Sequence, residues 1–231
     1  MKKIKDSEPG FICDIKAQCF QDLTEEEQSF IRTSRTQVHF RKGENLSKQG
    51  AFASYILFLI DGLVKQYVEG DLSHNFNIQL QHPGDFIGIS SLFHQNTYSY
   101  STVALTPTVA ILIEKDTIQS VMKQNGDFAY GIISKYCRQD VLLYDIISRM
   151  MYKQMNGRIA DTLLYLSSEV FAGEEVFVHL SRKDIAEFAG ISTESAVKLL
   201  KSFEKEKLIR LEEKNIIILN RVALMEISKN G

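Results

Sequence analysis

The chain has 231 residues, 44% hydrophobic and 24% charged, with a formal net charge of −2 at pH 7. Those values suit two modest globular domains. They argue against nucleic-acid binding through overall positive charge, so any basic face has to be local. No apolar run is long enough to span a bilayer, and Met1-Lys2-Lys3 leads into polar residues. Three scattered cysteines (Cys13, Cys19, Cys137) fit a reduced compartment. A cytoplasmic protein without membrane contact is expected.

Residues 1–10 read as a frayed start. Over 11–35 the pattern is helical: Ile12, Ile15 and Phe20 are apolar, and Thr24 with Glu27 makes a capping box for a helix over 25–31. The period then shifts to two. Val38 and Phe40 alternate with polar neighbours, 55–60 is a strongly apolar run, and Asp61-Gly62 signals a hairpin into 63–68. Strand-like pieces follow at 74–81, 100–105 and 108–113. Short strands between Gly, Pro and Asn turns predict a small antiparallel barrel or roll.

From 127 to about 155 the spacing predicts one long helix with two apolar stripes. Ile132, Tyr136, Gln139, Leu143, Ile146 and Met150 recur at alternating four and three, as in a coiled-coil seam. Ile133, Cys137, Tyr144, Ile147 and Met151 form a second stripe, expected to face the roll. Two stripes exceed what one small domain needs, which predicts a parallel homodimer.

Residues 180–219 carry the densest pattern. Ser181 with Asp184 caps a helix whose apolar side is Ile185, Ala186 and Ala189. Gly190 permits a sharp turn. Ser192 caps a second helix, with Ala196, Leu199, Leu200 and Phe203 at helical spacing. Two short helices crossing on alanines around a glycine turn match a helix-turn-helix. Thr193, Glu194, Lys198, Lys201 and Lys205 face outward and suit a major groove, where lysine donates to guanine and a carboxylate accepts from cytosine N4. Glu194 and Lys198 are also a plain exposed i,i+4 pair, and such helix pairs occur outside DNA-binding proteins. Strand-like 208–211 and 216–219 complete a two-stranded wing.

Phe40-Arg41-Lys42-Gly43-Glu44, Gln49-Gly50, the 57–62 run with Val64-Lys65, and Gly84-Asp85-Phe86-Ile87-Gly88 resemble the cyclic-nucleotide-binding β-roll of the Crp/Fnr regulators. Residues 114–156 resemble that family's dimer helix, Gly157-Arg158-Ile159-Ala160 its hinge, and 180–219 its winged helix-turn-helix. The resemblance implies an α+β chain: an antiparallel β-roll of the jelly-roll, double-stranded β-helix type over 1–126, a dimerisation helix over 127–156, and a winged helix-turn-helix domain over 157–231. It implies a homodimer on a near-palindromic promoter site, contact with RNA polymerase, and control by a small-molecule effector in the roll. Double-stranded DNA would be held at its backbone by Ser181, Arg182 and Lys183. Glu194 and Lys198 would read base edges, supported by Ser192, Thr193, Ser195 and Lys201. The family often has arginine where Thr193 stands, so the half-site is expected to be relaxed there.

The same resemblance exposes departures. Members that bind cyclic AMP have an acidic residue after the glycine matching Gly88 and an Arg-Ser pair about ten residues on; here those places hold Ile89 and Ser99-Tyr100. Without the arginine the phosphate loses a charge-assisted fork, and without the carboxylate the ribose loses an acceptor. Leu143 and Tyr144 stand where hydroxyl residues meet the adenine. Cyclic AMP is not expected. An iron–sulfur cluster is not expected either, with only Cys13 and Cys19 in the N-terminal region that supplies most of its thiolates. Members that sense carbon monoxide place a cysteine and a histidine where Gly88 and Ser90 stand.

Haem through His39, His82, His94 or Cys137 stays open, as does a thiol switch at Cys137; either would make a redox or nitric-oxide sensor. The cofactor is unassigned, and no other metal site is expected. Phe86, Gly88, Ile89, Ser90, Leu92, Phe93, Ser99, Tyr100, Leu143 and Tyr144 surround the former nucleotide site by this alignment. They form either a pocket for an apolar effector or a corner closed by Tyr100. No nucleophile elbow, paired metal motif or phosphate-cradling glycine loop points to an enzyme. The rival reading is an effector-binding module whose winged helix makes protein contacts.

Overall fold

The computed structural model describes residues 2–4, 18–71, 74–93 and 96–231. It divides into two compact units, Met1–Glu69 with Gln79–Leu142 and Gly70–Ile78 with Leu143–Gly231. Among the described residues no helix is long and apolar enough to cross a membrane.

Strands β1 (Lys2–Ile4), β2 (Arg35–Phe40), β3 (Asn45–Ser47), β4 (Tyr55–Asp61), β5 (Val64–Val68), β6 (Phe76–Gln81), β7 (Phe86–Ile87), β8 (Ser101–Ala104) and β9 (Thr108–Glu114) build two sheets. Their orders are β1-β2-β9-β4-β7 and β3-β8-β5-β6. Apolar residues from both faces of β4 are buried: Ile56 and Phe58 join one core cluster, Leu57 and Leu59 another. Around Phe58 the rings of Phe20 and Phe86 close to centroid distances of 5.1 and 4.8 Å. Such ring pairs add roughly 0.5–1.5 kcal/mol each beyond burial.

Three expectations need correction. Lys2–Ile4 is a strand, registered on β2 with Lys3 opposite Val38, because an existing sheet edge supplies hydrogen bonds that local sequence does not announce. Asp61-Gly62 is no hairpin. β4 pairs with β7 and β9 while β5 pairs with β8, so Gly62 carries the chain from one sheet to the other. A Cβ at Gly62 would lie 2.5 Å from Thr108 Oγ1 and 2.6 Å from Pro107 O, which leaves room only for glycine. Of the helical stretch expected over 11–35, residues 11–17 lie outside the described residues. The remainder is two helices, α1 (Gln18–Gln21) and α2 (Glu25–Thr33), and Arg35 already belongs to β2. Thr24 and Glu27 cap α2 reciprocally, at 3.3 and 2.8 Å.

After β9 come α3 (Lys115–Gln124) and α4 (Gly126–Tyr152). Asn125 separates them, its Oδ1 accepting from Phe128 N at 2.9 Å. The 27 residues of α4 make a rod about 40 Å long. Its two stripes do not divide as expected. Ile132 (1% exposed) is buried in the first unit's core with Phe128, and Ile146 (5%) is buried too. Tyr130, Ile133, Tyr144, Ile147 and Met151 are 50–74% exposed, and Cys137 is exposed. Of the six residues expected in the seam, Tyr136 and Leu143 are exposed, while Gln139 and Met150 are half-buried.

The second unit adds α5 (Met155–Leu166), α6 (Val176–His179), α7 (Arg182–Ala189), α8 (Thr193–Lys205), the wing strands β10 (Ile209–Glu212) and β11 (Asn215–Ile218), and α9 (Arg221–Asn230). Helix α5 is its core, with Ile159, Ala160 and Leu163 fully buried. Asp161 on α5 pairs with Lys153 at 2.7 Å and accepts from Ser228 of α9, which ties the end of α4 to the last helix.

Candidate nucleic-acid interface

The interface begins with two capped helices. Ser181 Oγ accepts from Asp184 N at 3.1 Å, and the Asp184 carboxylate accepts from Ser181 N at 2.7 Å. This box starts α7. Gly190 ends it at φ 61°, a left-handed conformation that a Cβ disfavours. Two residues later Ser192 Oγ accepts from Ser195 N at 3.1 Å and starts α8. Ala186, Ala189 and Ala196 are 1% exposed or less, and their small side chains let the two helices cross closely.

Burying Ala196, Leu200 and Phe203 fixes the rotation of α8. Thr193, Glu194, Lys198, Lys201, Ser202 and Lys205 are therefore exposed, and 194, 198, 201 and 205 lie along one face. Glu194 sits in the first turn, where the helix dipole favours a carboxylate, and Lys205 in the last, where it favours a cation. Ser195 is half-buried beneath the cap.

The three residues expected at the DNA backbone are placed differently. Ser181 and Lys183 are exposed, Lys183 reaching Glu187 at 3.7 Å. Arg182 is half-buried, and its Nη2 donates to Glu213 O at 3.2 Å in the turn of the wing. Burial lowers the pKa of its guanidinium from the ordinary value, while Glu204 opposes that shift. Arg182 thus braces the wing against α7. Glu204 adds a second brace, accepting from Leu211 N at 2.9 Å. The sequence pattern could not separate a brace from a phosphate contact, because both ask for a cation at the same place.

Tyr100, from the effector set, stands just before β8, and its hydroxyl accepts from Gly88 N at 3.1 Å. Tyr98 packs on Gly88 and donates to Tyr55 O at 2.8 Å. Desolvation, opposed by the Gly88 hydrogen bond, pushes the Tyr100 phenol up to about 12, and burial does the same to Tyr98. Phe86, Ile89 and Leu92 are spent in the core, Ser90 Oγ lies 3.4 Å from Ser99 Oγ, and Phe93 is 67% exposed. Leu143 and Tyr144 are exposed and belong to the other unit.

Two residues missed from the sequence touch the corner. Lys135 of α4 donates to Gly84 O, with its Nζ 5.9 Å from the centre of the Phe86 ring. Gln81 is fully buried and donates to Phe86 O at 3.3 Å. No motif marks either one, since single lysines and glutamines are ordinary in helices and strands.

Of the haem candidates, His39 lies 3.2 Å from the Gln37 amide, His82 bonds Pro83 O at 3.0 Å, and Cys137 is exposed on α4. His94 and Cys13 lie outside the described residues, as does the side chain of Cys19.

Residues 37–125 match the cyclic nucleotide-binding domain, and residues 157–227 match the Crp-like helix-turn-helix domain. The cAMP-activated global transcriptional regulator CRP of Salmonella typhimurium is 23% identical over 190 residues, covering 80% of this chain and 90% of its own. FixK2 from Bradyrhizobium japonicum superposes with a TM-score of 0.74 at 18% identity, covering 84% of this chain and 96% of its own. A Crp/Fnr-family regulator from Eubacterium rectale gives 0.76 at 18% identity, covering 92% and 98%. A roll followed by a long helix and a winged helix-turn-helix thus defines a transcriptional regulator. The chain belongs to the Crp/Fnr family.

Proposed function

We propose that the chain works as a homodimer that presents two copies of α8 to a near-palindromic promoter site. The observation that carries this reading is the single exposed face of α8, with Glu194 and Lys198 in its first half and Lys201 and Lys205 beyond. Glu194 would accept from cytosine N4 and Lys198 would donate to guanine; a good base contact discriminates by roughly 1–3 kcal/mol. Lys183, Lys201 and Lys205 would meet phosphates, with Ser181, Ser192, Thr193 and Ser195 supporting the helix starts. Arg182 serves here as a positioning residue for the wing. Twofold symmetry then sets the half-sites about one duplex turn apart, and the bound dimer recruits or blocks RNA polymerase.

The dimer would form along Tyr130, Ile133, Cys137, Tyr144, Ile147 and Met151. This stripe has helical spacing and stays exposed on the single chain, whereas Ile132 and Ile146 are already buried within it. A regulator whose roll lacks the cyclic AMP carboxylate and arginine, and whose corner holds its own phenol, is not expected to answer to cyclic AMP. Any effector would be of another class.

Selection from a random-sequence duplex pool tests the DNA reading. The expected product is an inverted repeat with a cytosine preference at the Glu194 contact. A chain that enriches no duplex would favour the rival reading, in which the winged helix contacts protein.

A further inference from the structure

Arg158, in the first turn of α5, reaches three groups that all lie within the second unit. Its Nε donates to Lys153 O at 3.0 Å, at the point where the chain leaves α4. Its Nη1 donates to Gly190 O at 3.3 Å and lies 3.6 Å from Met150 Sδ. Gly190 forms the turn between α7 and α8: its amide ends α7 on Ala186 O, and its carbonyl accepts from the guanidinium. Met150 presses on the same turn, since a Cβ on Gly190 would lie 2.7 Å from Met150 Sδ.

The guanidinium thus joins two parts that DNA reading needs held together. On one side stand the last turns of α4, where Tyr144, Ile147 and Met151 belong to the stripe proposed above for the dimer. On the other, Ser192 caps α8 just beyond Gly190. Arginine suits the bridge because its N–H groups form a planar fork that can serve two carbonyls at once. The Lys153 carbonyl also closes a helix C-terminus, where the dipole favours a cation. We infer that Arg158 is a positioning residue, which fixes each α8 relative to the dimer stripe and so sets the spacing of the half-sites. It acts through the Gly190 turn rather than on a base. The inference rests on the DNA-binding reading above.

The test uses the full chain and fluorescence anisotropy, with a duplex that the wild type selects from a random pool. Two companion duplexes carry one base pair more or one fewer between the half-sites. Wild type should bind both companions about tenfold more weakly or worse, as for a mismatched contact. Arg158→Ala should bind the selected duplex roughly ten- to a hundredfold more weakly, the range for hydrogen bonds to a charged group. It should remain dimeric in sedimentation and bind all three duplexes alike. Arg158→Lys, a point donor without the planar fork, should keep the fold and only part of the spacing preference. Wild-type spacing preference in Arg158→Ala, whatever its affinity, overturns the inference and leaves DNA binding standing. If the alanine variant does not fold, the lysine variant decides, and full wild-type preference there overturns it. A wild type indifferent to spacing overturns it as well, and a wild type that selects no duplex overturns the DNA-binding reading too.

Discussion

The Tyr100 hydroxyl accepts a hydrogen bond from the Gly88 amide at 3.1 Å, so a phenol of the chain itself occupies the donor at the turn of the roll. Tyr100→Phe keeps the ring and strips away the acceptor. It should cost roughly 1–3 kcal/mol, the penalty of leaving a buried N–H without its acceptor. Urea unfolding measures it. Excess cyclic AMP should leave the wild-type midpoint unchanged, and a clear upward shift would mean that the corner opens to the nucleotide.

Alkali should attack the same place. Burial raises Tyr98 and Tyr100 from an ordinary 10.0 to about 12 in the folded chain. Their contribution to stability is therefore intact below pH 10.0 and lost as pH climbs toward about 12, because the unfolded chain releases those protons more readily. Absorbance titration should show two phenols ionising near pH 12, above the ordinary 10.0. Ionisation of both near 10.0 would contradict this.

The α4 stripes separate two kinds of failure. Met151→Lys or Ile147→Lys places a charge on the exposed stripe, and each should yield folded monomers in sedimentation. Ile132→Ala empties a core site, and should cost roughly 2–5 kcal/mol of stability without changing the dimer. A monomeric Ile132→Ala with unchanged stability would return Ile132 to the seam.

Lysines on α8 should differ in kind. Lys198→Ala should relax preference at one base pair per half-site, whereas Lys205→Ala should weaken all sequences alike and lower the salt slope by about one charge. A uniform loss for both would make Lys198 a phosphate contact.

Local rules were strongest where the chain obeys its own neighbours. The capping residues Thr24, Ser181 and Ser192, the alanine crossing and the wing follow from side chains within a few positions of one another. The long-range choices were not legible. Asp61-Gly62 has the composition of a hairpin, but its partner strand is set by packing against Thr108, distant in sequence. Two apolar stripes about 100° apart on α4 have the same period, and only the placement of Phe128 beside Ile132 decides which one is consumed internally. Arg182 reads as a phosphate contact, and its hydrogen bond to Glu213 O in the wing leaves no mark in the pattern. The hydrogen bond from Asn77 to Asp184 spans more than a hundred positions and leaves no trace in the sequence pattern.

Native mass spectrometry of the protein with a selected duplex tests the central claim most directly. Two chains on one duplex, reverting to one chain or none after Glu194→Ala and Lys198→Ala are combined, is the outcome that paired α8 helices predict. A single wild-type chain per duplex, or no complex at low salt, would contradict it.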